Sequence, residues 1–145
     1  MKRKNKGYTV EAKVLADLLA CGVAVATPWG DDERYDLIAD VNGKLIRIQV
    51  KASRTRHNGE SFSFSCTRHI YEGVGRYKHV TYEEGSIDYF ATVWEGQSYL
   101  VPAEECGQEK QLRISPTKNG MKKLVNWAKD YELEKVVDKL RTTGL

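Results

Sequence analysis

Asp36, Gln49 and Lys51 are the residues of this chain whose types and spacing suit phosphate chemistry, with Glu11 as an outlying fourth. An acid and an amide supply hard oxygens, and a lysine stands two residues beyond the amide. Mg²⁺ binds oxygen ligands in an octahedron and keeps several waters, so one or two carboxylates, an amide oxygen and a backbone carbonyl suffice. The Val50 carbonyl is the candidate for the last. A cation held this way polarises a phosphoryl oxygen and acidifies a bound water, while Lys51 stabilises charge on the phosphate or positions the attacking water. Phosphodiester hydrolysis is the reaction such a set serves. A plainer alternative uses the same residues: Asp36 and Lys51 as a structural ion pair with Gln49 beside them.

The element that must position three of them is a β-hairpin over 34–51. Two runs rich in Val, Ile, Leu and Tyr meet at Asn42-Gly43, the pair best suited to a two-residue type I′ turn because both positions need φ > 0. That turn pairs Val41 with Lys44, Asp36 with Gln49, Tyr35 with Val50 and Arg34 with Lys51. Alternation then assigns Tyr35, Leu37, Ala39, Val41, Ile46, Ile48 and Val50 to one face, an expected core face. Arg34, Asp36, Ile38, Asp40, Leu45, Arg47, Gln49 and Lys51 fall on the other, which Ile38 and Leu45 suggest is covered as well. Directly opposed residues have Cβ atoms roughly 4.5–5.5 Å apart, so Asp36 and Gln49 can serve one cation.

Glu11 comes from a helix expected from an N-cap at Thr9 to about Ala20, with Gly22 as its stop. Val10, Val14 and Leu18 form one stripe and Leu15 and Leu19 the next. Glu11 projects from the edge of that stripe, where a carboxylate is paired, bound to metal or close to a helix end. In the first turn it simply complements the helix dipole. If the helix packs on the polar face of the hairpin, Glu11 points toward the same cation.

The remaining chain supports these elements. The run 23–28 is a short strand closed by Pro28, and 61–66 alternates as a further strand. Between them 52–60 is basic and polar. Residues 71–85, with three tyrosines and three glycines, suit a mobile loop able to contact a polyanion, and equally a plain connection. A second hairpin is expected over 87–101 around Glu95-Gly96-Gln97, a short strand over 111–114, and a C-terminal helical extension over about 117–142.

With 145 residues, 41% of them hydrophobic, the chain fits one domain with a real core. Three cysteines, Cys21, Cys66 and Cys106, make neither a metal-ligand spacing nor a disulfide framework, which points to a reducing, intracellular and cytoplasmic setting. No signal peptide or membrane span is expected. The net charge of +3 permits nucleic-acid binding without arguing for it. The cations do cluster, and Arg54, Arg56, His57, Arg68, Arg76, Lys78, Lys118, Lys122 and Lys123 are the candidate DNA contacts. Ordinary solvated surface accounts for any one of these groups equally well.

Glu11, Arg34-Tyr35-Asp36-Leu37 and Gln49-Val50-Lys51 together resemble the PD-(D/E)XK nuclease superfamily, in which a helix glutamate precedes an Asp and a (D/E)XK strand. Nearly the full length is similar to the small PD-(D/E)XK endonucleases related to a bacterial group I intron homing endonuclease, on the stretches 87–91, 116–120 and 127–131. The resemblance implies a restriction-endonuclease-like αβββαβ core, with a mixed central sheet flanked by helices. It also implies catalytic roles for Glu11, Asp36, Gln49 and Lys51, with Mg²⁺ as cofactor and Mn²⁺ as substitute. Two departures stand out: Tyr35 replaces the proline before Asp36, and the neutral Gln49 removes one negative charge from the site.

The function expected is a Mg²⁺-dependent endonuclease cutting duplex or branched DNA, homing- or restriction-like. A Holliday-junction resolvase of the same fold is one alternative, and an inactive nucleic-acid-binding module is another. No Gly-rich phosphate loop or Ser/His/Asp set supports a small-molecule enzyme. One active site cuts one strand at a time, so a homodimer is the minimum expected and a homotetramer fits by analogy. Bound to DNA, such an enzyme sits at the nucleoid.

Overall fold

A computed structural model of the chain describes residues 3–30, 32–116, 120 and 125–143, and among these no helix is long and apolar enough to cross a membrane. Helix α1 spans Arg3–Ala20, so Thr9 lies inside it and does not cap it. Glu11 is therefore well past the first turn, which removes the helix-dipole explanation of its position. The helix does stop at Gly22, where φ is +77°. The Gly22 amide donates to the Leu19 carbonyl at 2.9 Å and the Val23 amide to Leu18 at 3.1 Å, the paired bonds of a Schellman ending. Arg141 Nη2 adds a 2.6 Å bond to the Cys21 carbonyl.

Five strands form the central sheet: β1 (Ala24–Ala26), β2 (Leu37–Val41), β3 (Lys44–Val50), and then β8 (Tyr89–Trp94) and β9 (Gln97–Pro102) after an excursion. Only β3 and β8 run parallel, which makes the sheet mixed as expected. Asn42 and Gly43 have φ of +52° and +89°, and Val41 pairs with Lys44, as the type I′ turn requires. Glu95 and Gly96 repeat the device between β8 and β9, with φ of +50° and +78°.

Residues 51–88 carry β3 to its parallel neighbour through strands. The first two are β4 (Ser53–Arg56) and β5 (Ser61–Ser65). Next come β6 (Thr67–Gly73) and β7 (Arg76–Thr81), which pair with each other. The polar run 52–60 thus contains an edge strand, and most of the expected loop 71–85 is half of a β-ribbon. Later in the chain, β10 (Glu109–Arg113) completes a three-stranded sheet in the order β10-β5-β4.

The apolar face of the hairpin is buried as the alternation demands: Leu37, Ala39, Val41, Ile46 and Ile48 pack with Val14 and Leu18 of α1. Leu133 and Val137 of α2 (Leu133–Thr142) complete that cluster. Helix α1 therefore covers the apolar face, not the polar one, because its own stripe is apolar and would lose burial against Arg47 and Gln49. Behind the sheet, Phe62, Phe64 and Leu112 pack against Phe90, Tyr99 and Val101, and Phe62 stacks on Trp94 with centroids 5.0 Å apart. The back face is open near the turn, where Leu45 is 63% exposed, so it is not covered throughout. The expected helix over 117–142 is shorter: Trp127 has extended backbone and bridges to Arg113, and a 3₁₀ turn over Ala128–Tyr131 precedes α2. Residues 117–119 and 121–124 of that stretch, with Lys118, Lys122 and Lys123, lie outside the described residues.

Gly22 joins the carboxyl end of α1 to the sheet, and a Cβ there would lie 3.6 Å from Arg141 Nη2 on a backbone of positive φ. Gly22→Ala is expected to cost about 1–2 kcal/mol of unfolding free energy, read as a lower urea midpoint with an unchanged slope. No change in midpoint would mean that this helix ending is not under strain control.

Candidate active site

The register of the hairpin holds from the turn to Leu37 and Ile48, and there it slips. The Asp36 amide donates at 2.8 Å to the carbonyl of Ile48, the residue already paired with Leu37. Two residues on β2's side thus oppose one on β3, which is a β-bulge, a feature that re-aims side chains beside active sites. The Asp36 carboxylate then turns to the backbone of β3 and accepts the Val50 amide through Oδ2 at 2.9 Å. Tyr35 is thrown to the back, where it packs with the Phe62 and Phe64 cluster. The expected pairs Asp36–Gln49, Tyr35–Val50 and Arg34–Lys51 are not formed.

The slip resolves how a helix on the apolar face can still meet the acid. Glu11 comes near enough for the Asp36 charge to raise its carboxyl, after burial, which is the larger cause. Asp36 itself is raised above the ordinary carboxylate range by burial, against the lowering effects of the Val50 amide and of Lys51. Desolvation outweighs the partners at Asp36, and at Glu11 it acts in the same direction as the neighbouring charge. Lys51 is lowered by burial, with the Asp36 charge acting the other way. Three ionisable groups converge here, each pushed toward neutrality.

Lys51 is held at the carboxyl end of β3 by contacts that its own strand does not supply. Its amide donates to the Ala91 carbonyl at 2.8 Å. Its Nζ donates at 2.7 Å to the Thr67 carbonyl and lies 5.2 Å from the centroid of the Tyr82 ring, a cation–π contact. Tyr82 rests edge-on against Phe90 at 5.6 Å. Burial, then the Asp36 charge, pushes the Tyr82 hydroxyl up to about 12. Cys66 is also at the site: a hydrogen bond with Cys106 lowers its thiol, opposed by burial and aided by the Lys51 charge. Thr67, Tyr82 and Cys66 were not legible as site residues, since each reaches Lys51 through the tertiary fold.

Gln49 pairs with Phe90 in the parallel ladder and gives a long 3.5 Å Nε2 bond to the Val50 carbonyl. Its Oε1 accepts no hydrogen bond among the described residues, which leaves an amide oxygen for a cation. No three His, Cys, Asp or Glu groups cluster among the described residues. A hard cation here must therefore draw on Asp36 and Glu11 together with amide and backbone oxygens. The donor set fits Mg²⁺ or Mn²⁺, which accept such mixed oxygen shells, and two desolvated acids side by side gain from a countercharge.

The expected DNA contacts divide. Arg56 is engaged by Glu109 at 3.0 Å and Ser63 at 2.9 Å, and Arg68 by Glu83 at 2.7 Å, so both serve the scaffold. Arg54, His57, Arg76 and Lys78 are exposed and make no ion pair among the described residues. Asp88, in one of the stretches that carried the resemblance, is structural: it takes the Arg47 amide at 2.8 Å and Arg47 Nε at 3.2 Å, clamping β3 at the entry to β8.

Comparison with known proteins gives a family and a fold. A family model described as PD-(D/E)XK endonuclease matches residues 1–134. Among solved structures, a bacterial homing endonuclease, I-Ssp6803I, superposes with a TM-score of 0.76 at 21% identity, covering 99% of this chain and 96% of that one. No curated protein matches the chain.

Because Asp36 resists ionisation in the folded chain, its charge opposes folding once the pH exceeds the ordinary carboxylate value, and at neutral pH that penalty is fully present. Asparagine keeps an oxygen for the Val50 amide and removes the charge beside Glu11. In EDTA at pH 7, Asp36→Asn is expected to raise the urea midpoint, and the gain should shrink toward about pH 3, where the unfolded carboxyl is itself largely protonated. A lower midpoint at pH 7 would show that the attraction to Lys51, not desolvation, dominates this carboxylate.

Proposed function

The chain belongs to the PD-(D/E)XK endonuclease family, and from that premise we propose that it is a divalent-metal-dependent DNA endonuclease. The observation that carries this reading is the convergence of Glu11, Asp36 and Lys51, all pushed toward neutrality, at the carboxyl end of β3. Asp36 and Glu11 would hold the cation with Gln49 Oε1 and the Val50 carbonyl. When bound, the cation supplies Lewis acidity toward a phosphoryl oxygen and acidifies water.

The chain's own residues do the rest. The Val50 amide fixes the Asp36 carboxylate, since it donates to Oδ2 at 2.9 Å. Lys51 Nζ, held between the Thr67 carbonyl and the Tyr82 ring, places a positive charge where negative charge grows on the phosphoryl oxygens. The ring and the half-buried setting keep that lysine poorly solvated, which strengthens its field on a phosphate. Duplex DNA inside the cell is the substrate class, cut site-specifically, and two-strand cutting requires at least a homodimer. A four-way junction is the alternative substrate. Gln49, the neutral group at the usual acidic position, favours as second reading a DNA-binding module without activity.

Plasmid, linear duplex and four-way-junction DNA incubated with Mg²⁺ or Mn²⁺ test the proposal. Lys51→Ala is expected to lower cleavage by roughly 10²–10⁴-fold while mobility shifts still report DNA binding. Wild-type protein that cuts none of these substrates, or a lysine variant that cuts at the wild-type rate, sinks the nuclease reading. Separately, calorimetric titration with Mn²⁺ should show uptake that Asp36→Ala abolishes. Uptake unchanged in that variant would place the cation elsewhere, and no uptake by wild type would favour the binding module.

A further inference from the structure

We propose that the ribbon formed by β6 and β7 is a sequence-reading arm, laid in the major groove beside the scissile phosphate with its His and Tyr face toward the base edges. The inference rests on the nuclease reading for the place of the DNA, and deepens it by naming the element that selects sequence.

Among the described residues the ribbon stands apart from both larger sheets, its two strands pairing with each other. Three cross-strand pairs share one face: Thr67 with Thr81, His69 with His79, and Tyr71 with Tyr77. The rings form a continuous ladder, with centroids 4.2 Å apart for the two histidines, 6.3 Å for His69 and Tyr77, and 5.5 Å for the two tyrosines. Yet this face is open to solvent: Tyr71 and Tyr77 are 61% and 62% exposed, and both histidines are exposed. An isolated two-stranded ribbon is marginal on its own, and cross-strand rings help to hold it. Stabilisation alone needs only apolar contact. Here the ring tips are polar, and neither tyrosine hydroxyl nor any His69 nitrogen has a hydrogen-bond partner among the described residues.

Three observations point to duplex DNA as the occupant. The first is continuity with the active site. Thr67, at the base of the ladder, accepts Lys51 Nζ on its carbonyl at 2.7 Å, and its Oγ1 lies 3.4 Å from His79 Nδ1. A phosphate at Lys51 puts the adjoining duplex against this face. The second is charge: Arg76 and Lys78 are exposed on the outer half of β7 and make no ion pair among the described residues; Lys78 pairs with Ile70, so by alternation both lie on the face away from the rings, facing the phosphate walls of a groove and not its base edges. Glu72 sits at the register shift between Tyr71 and Gly73 and has no cross-strand partner there. The third is shape. The major groove, about 12 Å wide, admits a two-stranded ribbon. From Thr67 to Tyr71 the face runs about 13 Å, or roughly four base-pair steps. Imidazole nitrogens and phenol hydroxyls both donate and accept, as reading the groove's donor and acceptor pattern requires.

The test is selection by binding, which does not depend on cleavage. Full-length protein in EDTA is presented with a duplex library of randomised core, and bound sequences are compared for wild type, His69→Ala, Tyr71→Phe/Tyr77→Phe and Lys78→Ala, each checked by its thermal melt. Wild type should enrich a motif. The double phenylalanine variant keeps its rings and fold, and should lose roughly 5- to 100-fold of the preference for that motif over random DNA, with its affinity for random DNA nearly kept. His69→Ala should relax the preference at positions nearer the cut. Lys78→Ala should weaken every sequence alike and lower the salt slope by about one. An unchanged motif in both ring variants, or no motif and no binding by wild type, overturns the reading arm. Enrichment of a motif that wild type then fails to cut with Mg²⁺ or Mn²⁺ would overturn the nuclease reading and leave the arm standing.

Discussion

Asp36 and Leu37 share a single partner, Ile48, and the site depends on that shared bond. Without the extra residue, strict alternation would send Asp36 to the back of the sheet with Ile38 and Gln49, away from α1. With it, Leu37 still closes the apolar cluster under Val14 and Leu18, and the carboxylate beside it comes within the influence of Glu11. The bulge lets one short segment satisfy two demands that a regular strand sets against each other. It costs one ladder position, and the Val50 amide recovers part of that cost by bonding to the Asp36 carboxylate at 2.9 Å.

Electrostatics at the site is a contest in which burial wins. Asp36 has an amide donor and a nearby ammonium, both of which lower its carboxyl, and is still raised. Lys51 has a carboxylate nearby and is still lowered. Groups held this way resemble a spring only in the sense that each gains when opposite charge arrives: a cation among the acids, a phosphate beside the lysine. The same desolvation that disfavours these charges singly strengthens each of those interactions, because the field between charges is less screened there.

Local chemistry made much of this legible. Asn42-Gly43 set the hairpin and its register, Gly22 ended the helix, and the alternation of Ser61 to Cys66 marked a buried strand. The bulge left no such mark, having neither glycine nor proline, because it arises from a side chain that captures the Val50 amide. The start of α1 is not legible, because Thr9 has the chemistry of a cap while the helix begins at Arg3. The ribbon reads as a loop in the sequence: Gly75, with φ of +69°, sits in its turn and Gly73, with φ of +138°, at the strand end beside it, while the strands lack the apolar alternation that burial would impose. Thr67 and Tyr82 could not be assigned to Lys51 from spacing, since 16 residues separate Lys51 from Thr67 and the contact exists only once the excursion has folded.

That excursion explains why chemistry and recognition emerge together. Parallel neighbours need a crossover, usually a helix lying across one face of the sheet. Here residues 51–88 spend the crossover on β4 and β5, which cover the back of the sheet with Phe62 and Phe64, and on β6 and β7, which stay exposed. Both pairs leave from the carboxyl end of β3 next to Lys51, and the chain returns through Asp88, whose bonds to Arg47 bring β8 into register. The lysine is consequently tied to the first residue of the ribbon and to the ring of Tyr82 just after it. Lys51 Nζ is thus gripped from both ends of the ribbon, by the Thr67 carbonyl before β6 has run its course and by the Tyr82 ring just after β7, and neither contact passes through the core.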